Sequence, residues 1–175
     1  YSAYNDTPSD RTYRAPSFVL TLEIPVHLYR LFLERNELVT VTKHHLPRKH
    51  FLQSTPLFGD SISGDLQDEM TSQLKEERLP ADSVVDLKKD GSLALVREGA
   101  VHVTYRGRKI GTVSKGHCFG EDRVMGTPIF DYVTAEDATL LTLPASVLEG
   151  IPIVRWKLLE SLNKRIRARD AIFPV

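Results

Sequence analysis

The sequence has little of what marks a secreted, membrane-spanning or catalytic chain. Cys118 is the single cysteine among 175 residues. An internal disulfide is therefore excluded, and an intracellular, cytoplasmic setting is expected. Net charge is also missing: Lys plus Arg and Asp plus Glu number 23 each. No global field draws the chain to nucleic acid or to an anionic membrane, so neither is expected as a partner. No apolar run reaches the roughly 18 residues of a membrane helix. The nearest, Phe18 to Leu33, is interrupted by Glu23, His27 and Arg30. No signal peptide is evident. There is no nucleophile–base pairing, metal-ligand spacing or nucleotide triphosphate loop. An enzyme is not expected, and no catalytic residue, metal or cofactor is assigned. No helix-turn-helix follows the final helix, which leaves no DNA-reading element. Tyr1 is not a native start and points to a fragment of a longer protein.

What is present suits one well-buried domain with residues to spare, at 41% hydrophobic content. Residues 1–16 are polar and turn-rich and read as a mobile arm. Residues 17–57 read as helical pieces. Pro25 suits a helix start, after which Val26, Tyr29 and Leu33 share one side and Leu28, Leu31 and Phe32 the other, a pattern expected to pack between partners. Pro47 begins or breaks a second helix carrying Phe51 and Leu52. The basic cluster Lys43, His44, His45, Arg48, Lys49 and His50 reads as a solvated face rather than a metal or anion site. His45 and His50 lack the four-residue spacing of paired helical ligands, and Pro47 lies between them. Residues 64–77 read as an amphipathic helix on Leu66, Met70 and Leu74, with Asp65 as a candidate cap.

The period changes near residue 78. Short β-prone runs follow: Val84-Val85, 93–96, 101–105, 110–113 and 139–143. Asp90-Gly91, Glu98-Gly99, Arg106-Gly107 and Lys115-Gly116 separate the earlier ones as turns. About eight strands over roughly 65 residues indicate an antiparallel barrel or jelly roll. A last helix is expected from Ile153 to about Arg169, with a stripe of Val154, Leu158, Leu159, Leu162 and Ile166 and with Trp156 near its edge. Lys164, Arg165, Arg167 and Arg169 crowd its end, where they complement the helix dipole. Contact with an anionic partner is a second reading of that basic end.

Between the strands lies GHCFGEDRVMGTPIFDYVTA, residues 116–135. It reads as strand, glycine turn, one helical turn, proline stop and strand. A glycine before a short helix exposes backbone N–H groups that suit an anion. In His117-Cys118 an exposed His and a buried Cys are favoured over a metal pair, because adjacent strand residues point to opposite faces.

The order of these pieces resembles the cyclic nucleotide-binding domain family over residues 51–168. FLQSTPLF resembles its entry segment, SLALVREGAVHV its strand-glycine-strand core, and GHCFGED the start of its phosphate-binding cassette. GTP and VTA resemble the cassette's end, and PASVLEGIPIVRWKLLESLNKRI the closing helices. The resemblance implies an α+β fold, an antiparallel β-roll or jelly roll flanked by N-terminal and C-terminal helices. It implies an arm at 1–16, a helical lead-in at 17–57, the binding-domain-like part at 58–170 and a tail at 171–175.

The family cassette runs Phe-Gly-Glu, short helix, Pro-Arg-Ala-Ala. By position, Gly120 and Pro128 match its frame and Glu121 its ribose acceptor. Ile129 stands where the phosphate-binding arginine belongs. Phe130 and Asp131 replace the two small residues, and Tyr132 a small hydroxyl residue; Asp131, two residues along the strand from Ile129 and on its face, is expected to place a like charge beside a phosphate. The cassette is about one residue short, and the turn at 87–92 lacks the family's longer glycine loop. The lost arginine contact alone is worth roughly 1.5–3 kcal/mol, or about one to two decades of affinity. Candidate ligand-side residues are thus Gly120, Glu121, Asp122, Arg123, Ile129, Phe130, Asp131 and Tyr132. Arg123 is a substitute cation only if it turns away from solvent, where a helix-start arginine normally points. Glu121 has two readings, ribose ligand or acceptor for nearby backbone N–H groups.

Two functions follow. One is a regulatory module with a degenerate phosphate site, acting through protein–protein contacts or an unusual ligand, in which cAMP and cGMP bind weakly or not at all. The alternative is a genuine cAMP, cGMP or nucleoside sensor domain of a larger signalling protein.

Overall fold

A computed structural model of the chain describes residues 14–59, 62–87 and 91–173. Most of the expected arm lies outside the described residues, as do part of the 87–92 turn, including Asp90, and the end of the expected tail. The chain divides into two compact units, one ending at Arg48 and the other beginning at Lys49.

In the first unit, helix α1 spans Val26–Arg35. Pro25 occupies its N-cap position, and its carbonyl accepts from Leu28 and Tyr29 N–H at 3.0 and 3.1 Å. A proline there lacks only an N–H that would have no helical partner. Leu33 is the buried residue of α1. Packing of both apolar sides is not met within the described residues, since Val26, Leu28, Leu31 and Phe32 are exposed. A π-helical turn, Val41–His45, leads into α2, Leu46–Ser54. Pro47 has no N–H to give to the fourth residue back. The helix widens just before it, with Leu46 N–H reaching Val41 O, so Pro47 sits in the first turn of α2 and does not break it.

In the second unit, α3 spans Gly64–Gln73. It is shorter than the expected 64–77 because Leu74 turns extended and Lys75–Leu79 form strand β1. Pairing with a distant strand overrides the helical pattern there, and Glu76 is fixed by Arg97 at 2.8 Å. Ser63, not Asp65, holds the N-cap position, without a side-chain cap bond.

The strands that follow are β2 Leu93–Glu98, β3 Ala100–Tyr105, β4 Arg108–Ser114, β5 Cys118–Phe119, β6 Asp131–Thr134 and β7 Ala138–Leu143. One sheet has the order β1-β7-β2-β5 and the other β4-β3-β6, and every pairing is antiparallel. This is the expected β-roll with helices before and after it. Among the described residues there are seven strands rather than eight. Val84 makes only an isolated bridge to Val133.

The inner strands β7 and β2 of the four-stranded sheet are buried on both faces, which explains the unbroken apolar run Leu93-Ala94-Leu95-Val96. Leu93, Leu95, Leu141 and Leu143 face a core built with Leu52, Phe58 and Met70. Ala94, Val96 and Leu140 face the interior of the roll with Val101, Val103, Phe119, Phe130 and Tyr132. After the one-turn helix α5, Ala145–Leu148, the long helix α6 spans Pro152–Ile172. Val154 and Leu158 enter the first core, while Leu162 and Ile166 reach the second. Leu159 does not join this stripe. It lies one residue, about 100°, from Leu158 and is 47% exposed. Trp156 is exposed as well. No helix among the described residues is long and apolar enough to cross a membrane.

Candidate functional site

Strand β5 delivers the chain to Gly120, whose φ of 93° lies in the left-handed region. A Cβ there would meet Leu87 Cδ1 at 2.7 Å and Ser92 O at 2.8 Å. The position admits glycine alone without a backbone shift. One helical turn follows, α4, Glu121–Val124. The chain then returns through Gly126, Thr127 and Pro128, all exposed, and enters β6.

Asp122 holds this loop to itself. It is fully buried. Its Oδ2 accepts Ile129 N–H at 2.8 Å and Phe130 N–H at 3.0 Å, and its Oδ1 accepts the Tyr132 hydroxyl at 2.6 Å. The same hydroxyl accepts Gly120 N–H at 3.2 Å. Ile129 and Phe130 were expected to be strand, but their N–H groups serve Asp122, and β6 begins only at Asp131. Burial, followed by the charges of Asp122 and Glu121, drives the Tyr132 hydroxyl pKa far above its usual value, so it stays a donor. The Tyr132 ring packs on Phe119 with centroids 4.8 Å apart.

Glu121 is also fully buried, but its partners come from α6. Its Oε1 accepts Arg165 Nε–H and the Ser161 hydroxyl, the latter at 2.8 Å. Arg165 also donates to Cys118 O at 2.8 Å. The reading of Glu121 as an acceptor for nearby backbone N–H groups is therefore corrected: an arginine on the final helix meets it. The second oxygen, Oε2, is buried without a hydrogen-bond partner. Arg123 is corrected too. It does not turn to solvent. Its Nη2 donates to Phe130 O at 2.7 Å, and its Nε is buried without a partner.

Phe130 and Tyr132 are buried, Ile129 is half-buried and Asp131 is exposed. Asp131 therefore directs its charge outward, although it lies two residues from Ile129. His117 is exposed as expected, and Cys118 is half-buried. Desolvation, then the Glu121 charge, pushes the Cys118 thiol up to about 12, against a smaller lowering by Arg165. Lys49, from the basic cluster at 43–50, pairs with Asp68 at 2.6 Å. Among the described residues no group of three His, Cys, Asp or Glu side chains could hold a metal ion. The residue that the sequence reading missed is Arg165. It follows Leu162 by three and precedes Ile166, a helical spacing on the side of the stripe that Arg169 shares, so periodicity does not single it out.

No family model matches the sequence, and no curated protein matches it. Solved structures do match. The regulatory domain of Toxoplasma gondii PKA, crystallised with cAMP, superposes with a TM-score of 0.64 at 14% identity, over 71% of this chain and 52% of that one. The fold is that of cyclic nucleotide-binding domains. A second structure with this fold is the regulatory subunit of a cAMP-independent protein kinase A from Trypanosoma cruzi bound to guanosine. It matches at a TM-score of 0.59 and 17% identity, over 79% of this chain and 54% of that one. The Thermus thermophilus catabolite activator protein matches at a TM-score of 0.52 and 24% identity, over 68% and 62%. The chain spans about half the length of the kinase regulatory structures it matches.

Proposed function

We propose that this chain is a regulatory module on the cyclic nucleotide-binding fold whose cassette is closed by the protein's own groups and whose output passes through protein contacts. One observation carries the reading: Glu121, at the position of the family's ribose acceptor, is buried and paired with Arg165 of α6. A nucleotide whose ribose took Oε1 would have to displace that ion pair. It would meet Ile129, which offers no charge to a phosphate, Arg123 engaged with Phe130 O, and two buried aromatics fixed by Asp122. Breaking a buried pair without replacing it costs about 3–5 kcal/mol, roughly two to four decades of affinity. Calorimetry of cAMP and cGMP against this chain tests the reading. Little or no heat of binding is expected, and micromolar or tighter binding of cAMP would refute it.

An uncharged nucleoside is the second reading. Glu121 Oε2 favours it, because a buried carboxylate oxygen without a partner suits a ligand hydroxyl. One structure of similar fold is bound to guanosine. Guanosine and adenosine in the same calorimeter decide it: saturable binding that Glu121→Gln weakens would establish this reading over the first.

A further inference from the structure

A groove of about 370 Å³ runs between β4 and α6. Thr112 and Ser114 line it from the strand, Ser161, Lys164 and Arg165 from the helix, and His117 from the turn before β5. No carboxylate lines it. Strand β4 is the outer strand of its sheet, so among the described residues its second edge pairs with no strand.

The end of the groove toward the β3–β4 turn is strongly basic. Arg106, Arg108 and Lys109 are exposed and make no ion pair among the described residues. Arg106 and Arg169 lie 5.3 and 5.4 Å from the Tyr105 ring centroid, and Arg108 lies 5.7 Å from that of Phe173. Guanidinium groups held on ring faces are partly pre-ordered. The nearby carboxylates are already engaged or point elsewhere. Glu121 meets Arg165, Glu160 meets the 72% exposed Lys164, Asp170 meets Arg169, and Asp131 lies on β6 at the opposite edge of the sheet. Among the described residues, the seam's positive charge without a carboxylate partner is thus that of Arg106, Arg108 and Lys109.

We infer that this seam receives an acidic protein segment in extended form, lying along the free edge of β4 with its carboxylates toward Arg108, Lys109 and Lys164. The inference rests on the reading that the module works through protein contacts, and it names the surface and the kind of partner. A free strand edge supplies main-chain affinity, while the side chains beside it set specificity. Carboxylates match the forked donors of arginine. Single-stranded RNA fits less well, because bases stack on open aromatic faces and Tyr105 already carries two arginines. A bilayer is flat and cannot enter a groove.

The probe is a fluorescein-labelled peptide of alternating glutamate and valine, followed by anisotropy on the full chain. Saturable binding that weakens with added salt is expected. The double variant Arg108→Glu/Lys164→Glu should lose affinity about tenfold or more. Lys75→Glu, on strand β1 at the edge of the other sheet, should leave it unchanged. A lysine–valine peptide should not bind. Failure of the glutamate peptide to bind, an unchanged affinity in the double variant, or an equal loss in Lys75→Glu would overturn the proposal. So would displacement of the peptide by oligouridine RNA or phosphatidylserine vesicles at lower concentration than by unlabelled peptide. If the double variant does not fold, the salt response and the lysine–valine control on the unaltered chain decide. Nucleotide calorimetry keeps the two claims apart. cAMP binding would sink the functional reading, whereas peptide failure without cAMP binding would sink only this surface.

Discussion

The inner closure of the cassette and its attachment to the last helix each centre on a fully buried carboxylate, and the two carboxylates are sequence neighbours. Asp122 is met by neutral donors from its own loop: two backbone N–H groups and one tyrosine hydroxyl, all within ten residues. Glu121 is met by a cation and a hydroxyl some forty residues away, on an element with its own attachment to two cores. A buried charge is costly unless it is paired or well hydrogen-bonded, and the two sites represent the two solutions. The local one makes the loop rigid by itself. The distant one makes the loop's environment depend on where a helix lies.

The sharpest way to break that contrast is Asp122→Ala. It leaves the Tyr132 hydroxyl and two backbone N–H groups without their acceptor inside the roll. A loss of about 4 kcal/mol is expected, read as a melting temperature lower by roughly 10 °C. A fall of only a degree or two would mean that water or a rearranged loop replaces the carboxylate. Arg165→Met comes next, at about 3 kcal/mol, because Glu121 would stay buried without its cation. Adding Glu121→Gln should return part of that loss. A double variant as unstable as the sum of the two single ones would show that the pair is not coupled. Tyr132→Phe removes one of Asp122's three donors and should cost about 1 kcal/mol, measured by urea denaturation with an unchanged slope.

The smallest expected effect reads the chemical environment between the two carboxylates and the helix. In the folded chain the Cys118 thiol is pushed up to about 12, from 9.0 for an unshielded thiol. The protonated form is therefore the one that folding favours. Its stabilising contribution is complete below pH 9 and is lost as pH rises from 9 toward 12. Near pH 8, iodoacetamide should alkylate folded chain roughly a hundredfold or more slowly than urea-unfolded chain. Comparable rates would mean that the thiolate is stabilised and that the local field is not the one described.

Much of the framework was legible because it depends on local pattern. Glycine turns between short β-prone runs gave the roll, and the leucine spacing in 153–169 gave the last helix with Leu158 and Leu162 correctly inward. What failed depended on contacts distant in sequence. Lys75 to Glu77 continue a helical pattern, yet they are strand because β7 offers them a partner. Ile129 and Phe130 are β-prone, yet they are loop because Asp122 takes their N–H groups. At the site, Ile129 could be read directly as standing where the resembled cassette carries an arginine. The partner of Glu121 could not, because Arg165 sits among basic residues that a helix end accounts for equally well. Which of them meets Glu121 is decided by packing: Arg165 and Arg169 both follow the apolar stripe, Arg169 lies over the Tyr105 ring, and Arg165 reaches the carboxylate.

The strand register also has a kinetic side. The β3–β4 hairpin closes across Arg106 and Gly107 alone, both left-handed at φ 50° and 74°, the geometry of a tight hairpin turn. Strand β1 reaches its partner across 67 residues, the separation of Lys75 and Thr142. Closing a longer loop costs more entropy before any contact repays it, and hairpins form in about 1–10 μs. Assembly is therefore expected to begin at the basic hairpin and finish at the β1–β7 seam. Pulsed hydrogen exchange during refolding should protect β3 and β4 before β1, and simultaneous protection of both sheets would contradict that order. The cassette lies between the two in the chain. If β1 is the last to pair, the Glu121–Arg165 contact should gain protection no earlier than β3 and β4 in the same exchange experiment.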